Sequence, residues 1–233
     1  MPGARQKEKE QTIWADPLTN DAVLREIHAA RDPRLSGVYE RGHDLFAEGQ
    51  PARGVYLMRG RAKISVSSAQ GKLVVLRIAE PGDLLGVNSV LNGLPFDYSA
   101  QALDNCRVDF IPLTNFVDLL DSNPAVRSRV LQELSLELSK VVEQFRILLL
   151  SNSAKAKLVQ LLLKWCDEVG EVVPQGIRVN RQFTHEEIAQ MICVSRETVS
   201  RLLAELIKQR ALSVAAGAIT VHERAAMKYL ATQ

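Results

Sequence analysis

FTHEEIAQMICVSRETVSRLLAELIKQRALSV, residues 183–214, is the stretch from which the rest of the chain is read. Thr184, His185, Glu186 and Glu187 form a capping-box pattern. The Thr184 hydroxyl can take the amide of Glu187 while the Glu187 carboxylate reaches back to the amide of Thr184, so a helix starts here. Ile188, Ala189 and Ile192 give that helix an apolar side, and it halts near Cys193 and Val194. Ser195, an N-cap type, opens a second helix on which Val199, Leu202, Leu203 and Leu206 share one face. Two short helices joined by a tight turn and packed through such faces are a helix-turn-helix.

The other face of the second helix carries the chemistry. Arg196 with Ser200, and Glu197 with Arg201, are i,i+4 pairs on its first two turns. An arginine can bond guanine O6 and N7 together, and a carboxylate can accept from cytosine N4. The N-terminal turns of a recognition helix are the part that enters the major groove. A carboxylate placed there repels phosphate, which favours specific readout over general charge binding. The alternative for these four residues alone is a solvated face with intrahelical ion pairs.

With 233 residues, 46% hydrophobic and 24% charged, the chain can bury real cores in one large or two medium domains. The formal net charge is +2, yet residues 153–233 hold 11 Lys/Arg against 8 Asp/Glu, so the slight basic excess sits with the reader helix. Cys106, Cys166 and Cys193 are odd in number and far apart, which suits a reducing compartment and offers no zinc or cluster spacing. No apolar run approaches the roughly 18 residues that span a bilayer, and no signal core begins the chain. A cytoplasmic protein with no membrane partner is expected.

Residues 1–18 read as a flexible lead-in with Ile13 and Trp14 as its possible anchors, followed by a short helix from about Asn20 to Ala30. From Leu35 to Leu119 the chain has short β-rich segments, among them residues 54–58, 62–66 and 73–76. Gly49, Gly60, Gly71, Gly82 and Gly86 punctuate them at about ten-residue intervals, the rhythm of an antiparallel roll. After Asn123 and Pro124 a helix is expected to about Leu150. On it Leu131, Leu134, Leu138, Val141, Phe145 and Leu148 keep a heptad spacing. That seam predicts a parallel homodimer; the competing reading packs it on the chain's own β-domain. Val130, Val142 and Leu149 widen the stripe beyond one contact surface. Asn152 and Ser153 can cap a further helix to Lys164, residues 172–179 suggest a small hairpin, and residues 212–214 and 219–221 flank a turn at Gly217 as a two-stranded wing. The fold class is therefore α+β. Residues 1–18 lead in, 19–122 form a jelly-roll-like β-roll sensor domain, 123–152 the dimerisation helix, and 153–233 a winged helix-turn-helix.

A β-roll, a long helix and a winged reader in this order resemble the cyclic-AMP receptor protein and fumarate-nitrate-reduction regulator (CRP/FNR) family of bacterial transcription factors, over about residues 21–225. Phe-Ala-Glu-Gly-Gln (46–50), Pro-Gly-Asp-Leu-Leu-Gly (81–86) and Val-Ser-Arg-Glu-Thr-Val-Ser-Arg-Leu-Leu (194–203) carry the likeness. It implies double-stranded DNA with a palindromic operator as the partner, read by Arg196, Glu197, Ser200 and Arg201, with Ser195 and Thr184 beside them. Arg196, Glu197 and Arg201 match the family face that reads TGTGA half-sites; Glu197, Ser200 and Arg201 match the one that reads TTGAT. RNA polymerase is the expected protein partner.

The chain departs from the family's known sensors. Nucleotide-binding members hold a glutamate for the ribose after the PGD turn and an arginine for the cyclic phosphate about ten residues on. Here Val87 follows Gly86, and no Arg or Lys occurs from Gly82 to Cys106. A buried phosphate without a cation is costly by several kcal/mol, so cyclic AMP is not the expected effector. Iron-sulfur members need four cysteine ligands, and this chain has three scattered cysteines. Cys193 stands where many relatives carry glycine, as a redox switch beside the reader or as a small buried hydrophobe. His28, His43, His185 and His222 show no ligand-pair spacing, so neither metal nor cofactor is expected. No nucleophile-base motif or clustered metal set suggests an enzyme. A signalling module acting on a protein partner is the remaining alternative.

Overall fold

The structure is a computed structural model and describes residue 18 and residues 20–180, 183–215 and 217–222. The expected lead-in, with Ile13 and Trp14, lies outside the described residues apart from Leu18. Within them the chain forms two compact units: the residues up to Val66 with Ile78–Leu138, and Ser67–Arg77 with the chain from Ser139.

Helix α1 (Ala22–Ala29) starts where the Asp21 carboxylate accepts the amides of Val23 and Leu24, at 2.9 and 3.1 Å. It buries Leu24 and Ile27. The roll follows as β1 (Gly37–Tyr39), β2 (Asp44–Phe46), β3 (Gly54–Arg59), β4 (Ala62–Ser67), β5 (Leu73–Ala79) and β6 (Leu84–Leu85). After the short helix α2 (Val87–Asn92) come β7 (Ser99–Ala102), β8 (Cys106–Pro112) and helix α3 (Leu113–Ser122). The strands make two four-stranded sheets, β1-β8-β3-β6 and β2-β7-β4-β5. Strand β3 pairs with β8 from Gly54 opposite Pro112 to Arg59 opposite Arg107. Leu45, Phe46, Met58, Ile64, Leu85, Phe96 and Tyr98 belong to one core of the roll. Leu24, Ile27, Leu57, Leu84, Val87 and Phe116 belong to a second, which Val126 and Val130 of helix α4 (Pro124–Leu150) complete.

Helix α4 has 27 residues, about 40 Å of rise. Its apolar stripe is divided between buried and exposed positions. Val126, Val130 and Ile147 are buried, Leu134, Val141 and Leu148 are half-buried, and Leu131, Leu138 and Phe145 are exposed at 64%, 65% and 50% in the single chain.

Helix α5 (Ala154–Val169) is capped by Ser153, whose hydroxyl accepts the amide of Ala156 at 3.1 Å. It runs past the expected end at Lys164 because Trp165 and Cys166 prolong the buried stripe of Leu158, Leu161 and Leu162. Strands β9 (Gly170–Val173) and β10 (Gly176–Val179) precede helices α6 (His185–Ile192) and α7 (Arg196–Lys208), and β11 (Leu212–Ala215) and β12 (Ala218–Val221) follow. The wing is therefore larger than an isolated two-stranded hairpin. β10 pairs with β12, Ile177 opposite Val221 and Val179 opposite Ile219, giving one antiparallel sheet in the order β11-β12-β10-β9. Gly176 makes that junction possible: its φ is +139°, and a Cβ there would stand 2.0 Å from the Val221 carbonyl oxygen.

Candidate nucleic-acid interface

Both halves of the capping box form. The Thr184 hydroxyl accepts the Glu187 amide at 3.1 Å, and the Glu187 carboxylate accepts the Thr184 amide at 2.6 Å. Helix α6 ends at Cys193, a non-glycine residue at φ +57°. L-residues adopt that left-handed conformation at a cost of about 1–2 kcal/mol, repaid here because the turn brings Ser195 into N-cap position for α7. The Ser195 hydroxyl accepts the Thr198 amide at 3.2 Å. The Cys193 side chain is half-buried.

Helix α7 is fixed from behind. Val199, Leu202, Leu203 and Leu206 are each at most 5% exposed, and burying such side chains contributes about 1.5–3 kcal/mol apiece. Its outer face carries Arg196, Glu197 and Arg201 exposed and Ser200 half-buried, so the structure brings all four sequence-selected residues onto one surface. Ser195 and Thr184 lie exposed at the starts of α7 and α6. The face is solvated, as the alternative reading expects, but among the described residues it lacks that reading's ion pair between Glu197 and Arg201. The helix instead pairs Glu205 with Lys155 of α5 at 2.7 Å. The Glu197 carboxyl is held below its ordinary value by its own amide at the helix N-terminus, then by the Ser195 hydroxyl, and by the Arg196 charge. It is an acceptor only.

One member of this surface escaped the sequence reading as a site residue. His185, exposed on the first turn of α6, places Nδ1 2.8 Å from the Ser200 hydroxyl oxygen. The two are 15 residues apart and meet only because α6 and α7 pack together. No local spacing signals it.

The roll offers no comparable outward chemistry at the PGD turn. Val87 is buried in the apolar core. Gly86, at φ +80°, donates its amide to the Tyr98 hydroxyl at 2.8 Å, and a Cβ there would stand 2.6 Å from the Phe96 ring. Phe96 stacks on Phe46 with centroids 4.0 Å apart. The Asp97 carboxylate accepts from Asn88 and Ser89, at 2.9 and 3.0 Å. Buried cations do occur, but on β4, β5 and the turn before β4: Arg61, bonded to Asp104 at 2.7 Å, Lys63 and Arg77. Arg77 could have been suspected from its place between Val75 and Ala79 on the buried side of an alternating strand.

Residues 37–123 match the family of the cyclic nucleotide-binding domain, and residues 156–230 that of the Crp-like helix-turn-helix domain. The chain belongs to the CRP/FNR family. CRP/FNR proteins are transcription regulators with a helix-turn-helix DNA-binding domain. The chain is 29% identical over 224 residues to the global nitrogen regulator of a Synechocystis species, covering 94% of this chain and 97% of that relative. To the cyclic AMP receptor protein of Thermus thermophilus it is 27% identical over 223 residues, covering 92% and 96%. Among solved structures, a CRP-family transcriptional regulator, also from Thermus thermophilus, matches at 25% identity with a TM-score of 0.69, over 84% of this chain and 97% of that one. The CooA mutant structure from Carboxydothermus hydrogenoformans, at 23% identity, shares the fold with a TM-score of 0.74, over 91% and 90%. The CRP/FNR assignment thus covers both the roll and the reader. Among the described residues, no helix is long and apolar enough to cross a membrane.

Proposed function

We propose that this CRP/FNR protein is a homodimeric, sequence-specific regulator that reads an inverted repeat with TGTGA- or TTGAT-like half-sites. The observation that carries this is the outer face of α7, where Arg196, Glu197, Ser200 and Arg201 stand together on a helix anchored by four buried apolar residues. Arg201 takes a guanine and Glu197 the cytosine of the complementary strand, while Thr184 and Ser195 lie beside the sugar-phosphate backbone. The dimer uses Leu131, Leu138 and Phe145, exposed at seven-residue spacing on α4, with Leu134, Val141 and Leu148 at the seam's edge. RNA polymerase is the partner on which the bound dimer acts, and the location is cytoplasmic.

The effector is not cyclic AMP, or there is none. Supporting this, the turn at Gly86 is occupied by the chain's own Tyr98 and Phe96, and the cation that a cyclic phosphate requires is missing from residues 82–106. Selection of binding sites from random double-stranded DNA tests the whole reading. The expected product is an inverted repeat whose half-site centres lie about 10 bp or a small multiple apart. Binding without sequence preference, or a motif lacking two-fold symmetry, overturns it.

A further inference from the structure

Ser200 has a single hydroxyl proton and two lone pairs, and two protein groups compete for them. Its oxygen lies 3.1 Å from the Arg196 carbonyl oxygen, one turn back on α7, and 2.8 Å from Nδ1 of His185 on α6. The Arg196 carbonyl can only accept. The imidazole nitrogen accepts or donates according to its proton.

Each assignment ends in the same place. With Nδ1 unprotonated, the 2.8 Å contact is a hydrogen bond only if Ser200 donates to it, and both serine lone pairs remain. With Nδ1 protonated, the imidazole donates to the serine oxygen, the hydroxyl proton turns to the Arg196 carbonyl, and one lone pair remains. In both cases the proton is used inside the protein. What Ser200 presents outward is an acceptor.

We infer that His185 is a positioning residue that fixes Ser200 as a hydrogen-bond acceptor, so that Ser200 selects a base offering an exocyclic amino group in the major groove, adenine or cytosine, over guanine or thymine. The chemistry of the groove supplies the selection. Adenine N6 and cytosine N4 are donors there, whereas guanine O6 and thymine O4 are acceptors that would face a serine lone pair. A serine hydroxyl without a second partner turns to serve either kind of base, so the discrimination belongs to the pair and not to Ser200 by itself. This rests on the proposal that α7 reads bases, and it adds which base type one of its side chains takes and which residue on the neighbouring helix decides that.

The experiment measures the affinity of the full-length protein for its selected operator with each half-site position changed in turn to all four bases, for wild type, Ser200→Ala, His185→Ala and His185→Asn. In the wild type, one position should favour adenine or cytosine over guanine or thymine by about three- to tenfold, the worth of one hydrogen bond. Ser200→Ala should level that position and leave the others unchanged. His185→Ala should lower the preference at the same position at least twofold. His185→Asn, whose amide reaches the site of Nδ1, should restore it; a merely structural role for His185 would not produce this position-specific loss and rescue. A Ser200-dependent position that prefers guanine or thymine overturns the inference. So does a His185→Ala variant that weakens all sequences alike with a shallower salt dependence, which would place His185 on a phosphate. If the wild type selects no motif at all, the proposed base reading itself fails, and that outcome is distinct from both.

Discussion

The Tyr98 hydroxyl accepts the Gly86 amide at 2.8 Å, closing the turn after β6 with a group from the chain itself. The amide is buried and the tyrosine is 7% exposed, so water does not replace the bond when it is removed. Tyr98→Phe should destabilise the roll by about 1–3 kcal/mol, the penalty of a buried donor left without its acceptor, as read by denaturant unfolding. An unchanged unfolding midpoint would show that the amide finds another acceptor.

The same closure bears on the effector. Calorimetry with millimolar cyclic AMP or cyclic GMP should show no saturable heat, and neither should tighten DNA binding. Saturable binding coupled to stronger DNA association would overturn the reading that the roll does not respond to cyclic nucleotides.

Glu205 ties the reader helix to α5 and makes a pH-dependent contribution. The hydrogen bond from Lys155 and the charge of that ammonium hold the carboxyl below its ordinary 4.5, with a smaller effect from Gln209. A depressed folded value means stability that is present above the unfolded value and lost as pH falls through the folded one. Thermal melts of Glu205→Gln should therefore lie below wild type at pH 7 and converge with it in the window below about pH 4.5. A gap that persists in acid would assign the loss to packing.

The α4 seam gives a further test. Leu131 and Leu138 are exposed in the single chain, so Leu131→Glu with Leu138→Glu costs the protomer little but buries unpaired carboxylates in a dimer, at several kcal/mol each. The variant should keep its helical content, sediment as a monomer and lose operator binding. A variant that remains dimeric at micromolar concentration places the interface elsewhere.

What could be read in the chain beforehand was what local chemistry encodes. The reciprocal Thr184 and Glu187 bonds and the Ser195 cap depend on residues three apart, and both are present. The contacts that were missed join distant positions. β10 meets β12 across 40 to 44 residues, and the signal for each strand alone is a four-residue run. Tyr98 reaches Gly86 around helix α2, and His185 reaches Ser200 across the turn at Cys193. In each case a side chain or strand edge is matched to a partner that only packing supplies, and pattern along the chain carries no record of it. The buried Arg77 is intermediate: strand alternation marks it, but its charge argues against burial unless a partner is already known.

The base-reading code proposed for α7 can be tested residue by residue. Arg201 and Glu197 are common to both half-site types that the helix resembles, so the G·C pair of a TGA-like core is the part that does not depend on choosing between them. Arg201→Ala should cost about 1–3 kcal/mol and flatten discrimination at that guanine. Thr184→Ala, at the exposed start of α6, should weaken all sequences alike, because a phosphate contact carries no sequence information. The Glu197 carboxyl is held below its ordinary 4.5 by its own amide, then the Ser195 hydroxyl and the Arg196 charge, which favour the anion. Preference at its cytosine should therefore persist at about pH 5. In the proposed code Arg196 separates the two half-site types, since it would supply a second guanine contact that the Glu197, Ser200 and Arg201 set does not need. Arg196→Val removes it without touching the buried face of Val199, Leu202, Leu203 and Leu206, and should move the selected half-site from TGTGA toward TTGAT. A selected motif left unchanged by Arg196→Val would show that the first turn of α7 does not reach the bases, and with it that the helix enters the groove at a different angle from the one its exposed face suggests.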